Sequence, residues 1–236
     1  MYFDWTYAYF VIPAILVALL AQIKVQTTYS KYSKIKNSKG ITGAEAARRV
    51  LDANGLNHIK IERIPGELTD HYDPKADVVR LSDGVYDSAS TAAVGVACHE
   101  AGHAVQHDTD YAPAKIRMAI IPVTRIGSMA SAILLPAGII IAALGFYGAI
   151  YLAYIGILGY VVIALFQLVT LPAEFNASSR AMAVIDRTGM LTTEEQKGAR
   201  RVLSAAALTY VAALFVTLMT ILRFLFIVSR FNNRRR

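Results

Sequence analysis

Apolar residues are gathered into three runs, at residues 7–23, 126–171 and 202–228, and two polar stretches of mixed composition lie between them. A single membrane crossing needs about 20 consecutive apolar residues. The first run therefore predicts one transmembrane helix, and the second is long enough for two. Residues 145–148, GFYG, offer the turn between that pair. A last apolar helix over 202–228 makes about four in all.

The polar stretches carry finer signals. Residues 42–55 read as an amphipathic helix, opened by a capping box of Thr42 with Glu45 and stopped at Asn54-Gly55. Residues 59–64 alternate, 66–72 form a short segment, and Val78–Ser82 is compact and β-branched. With Asp73-Pro74 as a turn, these predict a small antiparallel sheet. Ser88 or Ser90 then caps a helix running to His107. Pro172 opens the second polar stretch with a helix ending near Gly189, and Thr192 with Glu195 caps the final helix. The expected organisation is an N-terminal anchor at 1–23, a first catalytic part at 24–125, two spans at 126–171, a second catalytic part at 172–201, and a C-terminal apolar helix with a basic tail at 202–236.

Composition supports a membrane protein. Hydrophobic residues make up 55% of the 236 and charged residues 17%, an unusually apolar balance for a soluble domain. The net charge of +7 does not point to nucleic acid, because the basic residues do not interleave with aromatics and form no recognition motif. They fall beside the apolar runs instead: Lys24, Lys31, Lys34, Lys36 and Lys39 follow the first, and Arg230 and Arg234 to Arg236 the last. By the positive-inside rule those lysines place the polar stretches in the cytoplasm. The acidic, aromatic start (Asp4, Trp5) and the lysines after the run fit a retained anchor with its N-terminus outside, not a signal peptide. Cys98 stands alone, so there is no internal disulfide, and it reads as a small helix residue.

The chemistry lies in residues 99–103, HEAGH, an HExxH motif on the helix before His107. Residues four apart in a helix lie one above the other, so His99 and His103 can reach the same Zn²⁺. Glu100 beside them can take a proton from the attacking water and return it to the leaving amine. Catalytic zinc usually has three protein ligands. His107 is eight residues from His99, about 12 Å along the axis at 1.5 Å per residue, and cannot share the ion. His58 and His71 read as surface histidines. Glu174, with Ser178 one turn later, is the better third ligand, and the alternative is a solvated glutamate beside a membrane. Asp70, His71 and Asp73 could line a cleft or simply form a turn. Tyr210, His71 and His107 are candidate donors to the tetrahedral oxyanion. Arg223, in the last apolar run, is costly unless it snorkels or pairs.

Residues 97–106 (ACHEAGHAVQ), 68–74 (LTDHYDP) and 174–178 (EFNAS) resemble the YugP-type neutral zinc metallopeptidases of bacterial membranes. Residues 42–45 (TGAE) and 205–213 (AAALTYVAA) extend the resemblance over nearly the whole chain. More distantly the chain is similar to the HtpX-type and CAAX-prenyl membrane proteases. The resemblance implies His99, His103 and Glu174 as ligands of one zinc ion and Glu100 as base. It also implies a zincin-like fold, with Val78–Ser82 as an edge strand to which a peptide adds. The HtpX-type pattern has Asp where this chain has Ser178, so either Ser178 or another group must orient the ligand histidine.

The expectation is thus an α-rich integral membrane protein with a zincin-like α+β catalytic domain built from two loops between about four transmembrane helices. Its substrate would be a polypeptide associated with the lipid bilayer. A joint site requires an even number of crossings between the polar stretches, and 126–171 supplies two. A full span at 202–228 would carry the basic tail outside; the alternative is that part of 205–213 packs in the catalytic domain. The competing classes are a zinc-binding membrane scaffold without hydrolysis and a transporter, which the uncharged 126–171 run disfavours.

Overall fold

The computed structural model describes residues 5–233; Asp4 and the arginines at 234–236 lie outside them. A π-helical turn, Tyr7–Val11, leads into α1 (Ile12–Tyr32). Then come α2 (Gly43–Asp52), β1 (Lys60–Ile64), β2 (His71–Asp73), β3 (Val78–Ser82), α3 (Asp83–Tyr86) and α4 (Thr91–Asp108). The long helices α5 (Ala112–Ala143), α6 (Ile150–Thr188) and α7 (Thr193–Asn233) complete the chain. Four helices are long and apolar enough to cross a membrane: Tyr7–Tyr32, Ala112–Ala143, Tyr147–Thr188 and Thr193–Arg230. The protein is an α-rich membrane protein with one small sheet.

The caps form as the sequence predicts. The Thr42 side chain accepts from the Glu45 amide while Glu45 accepts from the Thr42 amide, closing both halves of the box on α2. Thr192 and Glu195 do the same at α7, and Ser90 caps α4 through the Ala93 amide. Each cap satisfies amides that a helix start leaves without partners.

The sheet departs from expectation. Its order is β1-β3-β2, with β2 antiparallel to β3 but β1 parallel to it. The Asp73-Pro74 turn does make the β2–β3 hairpin. The segment before β2, however, crosses to the far side of β3. Val78–Ser82 is therefore the central strand, not an edge. The cause lies in its side chains: four of its five residues are buried, whereas β1 is mostly exposed. A strand buried along nearly its whole length belongs between neighbours, not at an edge.

Pro172 also falls differently. It sits inside α6, which runs unbroken from the apolar run through Glu174. An interior proline removes only its own N–H from the ladder, and membrane helices tolerate that loss. Likewise α5 starts at Ala112, before the apolar run, and carries Pro122 and Pro136.

The chain divides into two compact units. One holds residues 1–20, 116–170 and 210–236; the other holds 21–115 and 171–209. In the first, α5 and α6 approach closely at glycines: a Cβ on Gly159 would meet the Gly127 carbonyl, and one on Gly138 the Ala153 amide. Between them the Ser131 hydroxyl reaches the carbonyls of Gly127 and Gly156 at 2.9 and 2.8 Å. Such small-residue contacts drive association where lipid removes the hydrophobic contrast. Arg223 is not isolated, since its Nε donates to Thr6 and its guanidinium lies over the Tyr7 ring at 4.1 Å.

In the second unit, α2, α4, β3 and the adjoining parts of α6 and α7 enclose one core that includes Leu51, Leu81, Ile185 and Met190. Residues 205–209 belong to this unit, and the remainder of α7, residues 210–233, is about 36 Å long at 1.5 Å per residue, enough for a bilayer core. Leu81→Ala is expected to destabilise the detergent-solubilised protein by about 2–5 kcal/mol, read from denaturant or thermal unfolding. A smaller loss would mean that the site around β3 collapses to fill the cavity.

Candidate metal centre

The HExxH residues lie in the middle of α4, on the face turned to α6. What brings the two helices together is the absence of side chains. A Cβ on Gly102 would stand 2.8 Å from the Ala177 carbonyl, and Ala173, Ala177 and Ala181 present only methyl groups along the same face of α6. At that separation the histidines of one helix reach the carboxylate of the other.

His99 Nε2 lies 3.3 Å and His103 Nε2 3.6 Å from Glu174 Oε2. One ligand atom from each of the three residues falls within a 4.8 Å circle, and the two imidazoles stand edge to face, centroids 4.7 Å apart. Glu174 is 3% exposed. A carboxylate so buried requires a cation or strong donors around it, and two imidazoles with one carboxylate form a donor set suited to zinc. The residues therefore fit the ion.

Each imidazole uses its other nitrogen. His99 Nδ1 lies 3.0 Å from Ser178 Oγ, and His103 Nδ1 lies 3.0 Å from Gln106 Oε1. Ser178 thus stands beside the His99 ring nitrogen that faces away from Glu174. Gln106 has the same relation to His103, and the sequence reading gave it no role. Its position three residues after His103, on the same helical face, was a signal that could have found it. So was its polarity among Ala101, Ala104 and Val105.

Glu100 is partly buried on the same helix. Burial pushes its carboxyl above the usual range, the two histidines oppose that, and Glu174 and Asp70 reinforce it. Burial alone would lower His103, but its hydrogen bond to Glu174 and the charge of Glu100 outweigh it and raise it. Cys98 is fully buried in the core, where burial pushes its thiol up, as befits a packing residue.

The other histidines stay apart from this cluster. His58 pairs with Asp77 at 3.2 Å, and His71, on β2, faces the Thr69 carbonyl. His107 packs against Tyr72, the ring centroids 5.9 Å apart and the planes tilted by 57°. Tyr210 falls in the other unit. Asp70 and Asp73 serve the local fold: Asp70 accepts from the Ser82 amide and hydroxyl, and Asp73 accepts from the amides of Lys75 and Ala76 and from Arg80.

Both the membrane helices and this cluster accord with what the chain is similar to. The chain belongs to the family described as "Putative neutral zinc metallopeptidase", which it matches over residues 7–229. It is 45% identical over 221 residues to the "Putative membrane protease YugP" of Bacillus subtilis (strain 168), covering 94% of this chain and 96% of that relative. No solved structure matches it.

Gly102→Val would drive a side chain into the α6 backbone, so it is expected to cost about 1–3 kcal/mol of stability. It should also lower the zinc content of the purified protein. Gly148→Ala, with no neighbour within 4 Å, is the control and should change neither. Unchanged zinc in a folded Gly102→Val protein would show that the close approach is dispensable to the site.

Proposed function

We propose that the protein is an integral-membrane zinc metalloendopeptidase that binds one zinc ion per chain through His99, His103 and Glu174. The observation that carries this reading is the convergence of both Nε2 atoms on one buried carboxylate, which lies 75 residues beyond His99 on another helix. When bound, zinc supplies a Lewis acid for the scissile carbonyl and acidifies water. Glu100 takes the proton from the attacking water and carries it to the leaving amine, one carboxyl serving as base and then as acid. Glu174 and the two histidines hold their positions through the cycle, and the packing of α4 on α6 keeps bulk water from their buried side.

The substrate is a polypeptide associated with the membrane. The extended segment that it adds to is β2, the sheet edge whose Tyr72 packs against His107 of α4, since β3 has both neighbours filled. Main-chain hydrogen bonds to such an edge give affinity with little sequence preference. The chain crosses the membrane four times. The lysines that follow the first apolar run hold the catalytic part in the cytoplasm.

Metal analysis of the detergent-purified protein tests the ligand set. About one zinc per chain is expected in the parent, sharply reduced in His103→Ala and in Glu174→Ala. Zinc retained in Glu174→Ala would move the third ligand elsewhere. Glu100→Gln should keep its zinc yet lose cleavage of an unfolded casein probe by about 10²–10⁴-fold. A parent that binds zinc but cleaves nothing would favour a metal-organised scaffold.

Orientation is tested by labelling intact cells with a membrane-impermeant maleimide, where the buried Cys98 stays silent. Gly148→Cys should label at once and Ser38→Cys only after lysis; the reverse order would invert the topology.

A further inference from the structure

Gln106 is a fully buried amide in the core face of α4, and every one of its polar atoms is engaged. Its Nε2 lies 2.6 Å from the Ala173 carbonyl and 3.0 Å from Asn176 Oδ1, and its Oε1 lies 3.0 Å from His103 Nδ1. Asn176 Oδ1 in turn accepts from Arg180 Nε at 2.8 Å. The Arg180 guanidinium lies 5.8 Å from the centroid of the Tyr111 ring.

The direction of each bond follows from what the outer groups can do. A guanidinium only donates and a backbone carbonyl only accepts. The Asn176 atom that faces Arg180 must therefore be its oxygen. The Gln106 atom that faces both that oxygen and the Ala173 carbonyl must be its NH₂, whose two hydrogens match two acceptors. This leaves Gln106 Oε1 toward His103, so Nδ1 must carry a proton. In the neutral ring Nε2 then has a free lone pair, and Nε2 is the nitrogen that faces Glu174. The opposite tautomer would place a hydrogen where the metal must bind.

His99 has no such constraint. Its partner Ser178 is a hydroxyl, which can donate or accept and so is compatible with either tautomer.

We propose that Gln106, Asn176 and Arg180 form a hydrogen-bond relay of fixed polarity. It holds His103 with its proton on Nδ1 and its Nε2 toward Glu174, and in doing so it sets the affinity of the site for zinc. All three are positioning residues: Gln106 acts through His103, Asn176 through Gln106, and Arg180 through Asn176. The inference rests on the zinc reading for its effect on affinity, but not for its effect on the tautomer.

The test uses the full chain in detergent, with two readouts. One is the zinc dissociation constant by chelator competition. The other is the ¹⁵N spectrum of histidine-labelled, metal-free protein at a pH where the imidazoles are neutral, assigned with His103→Ala. The parent should show His103 as a single tautomer protonated at Nδ1. Gln106→Leu fills the same space without an acceptor. It should give mixed tautomers and weaken zinc binding by about 10–100-fold, the usual cost of losing an outer partner of a ligand histidine.

Asn176→Asp keeps an acceptor for both Arg180 and Gln106 and should behave as the parent, whereas Asn176→Leu should shift toward Gln106→Leu. This second pair lies one step from the ligand and serves equally if Gln106→Leu does not fold. Parent-like tautomer and affinity in folded Gln106→Leu, or equal losses in Asn176→Asp and Asn176→Leu, would overturn the relay. A parent that takes up no zinc but shows the Nδ1 tautomer, lost in Gln106→Leu, would leave the relay standing and remove the zinc reading.

Discussion

A carboxylate buried inside a protein is tolerated only where charge or strong donors surround it, and Glu174 is such a group. Much of the second unit follows from meeting that demand. The partners are imidazoles on another helix, so α4 and α6 must touch. They touch because Gly102 and the alanines at 173, 177 and 181 leave room for it. Their contact in turn fixes where the two polar stretches can lie, since residues separated by two apolar helices must share one compact unit. A metal site built this way is folding energy as well as chemistry: the ion would join segments 75 residues apart in sequence.

The helices that supply the site do not end at the membrane segments. α6 and α7 each run through both compact units without a break. Their sequences change character from apolar to mixed along the way while the backbone continues. One helix can therefore satisfy its own hydrogen bonds in lipid and still present Glu174 a few residues later.

What could be read from the sequence was local or periodic. The HExxH spacing, the capping boxes at Thr42 and Thr192 and the apolar runs each depend on residues within a few positions of one another. Glu174 was reachable because it opens the polar stretch after the spans with Ser178 one turn later, and the family resemblance gave it the ligand's place. The strand order was not reachable from turns alone. Asp73-Pro74 specifies a hairpin, but nothing local says on which side of Val78–Ser82 the first strand will pair. The burial of β3 on both faces decides that, and its run of apolar residues was the available hint. Pro172 misled because proline usually stops a helix in water, whereas a helix leaving an apolar segment has already formed its turns. Gln106 was hidden for another reason: its role depends on Ala173, Asn176 and Arg180, all on α6 and beyond the whole of α5.

The neutral character of the outer partners has a physical consequence. On the proposed ligand set, the two positive charges of a zinc ion would be offset by the Glu174 carboxylate and, when ionised, by Glu100. An aspartate at position 178, as in the HtpX-type pattern, would add a third negative charge to a partly buried pocket. That charge would strengthen the ligand histidine as a base but add a desolvation cost. Ser178 and Gln106 orient the same imidazoles with dipoles, so the pocket keeps its balance. A dipole must point the right way to do what a charge does from any direction. An amide carbonyl in place of a carboxylate therefore requires something behind it to fix its sense. At His103 the Ala173 carbonyl and the Asn176–Arg180 pair supply that sense, and the arginine's own charge is held two residues back from the metal ligands.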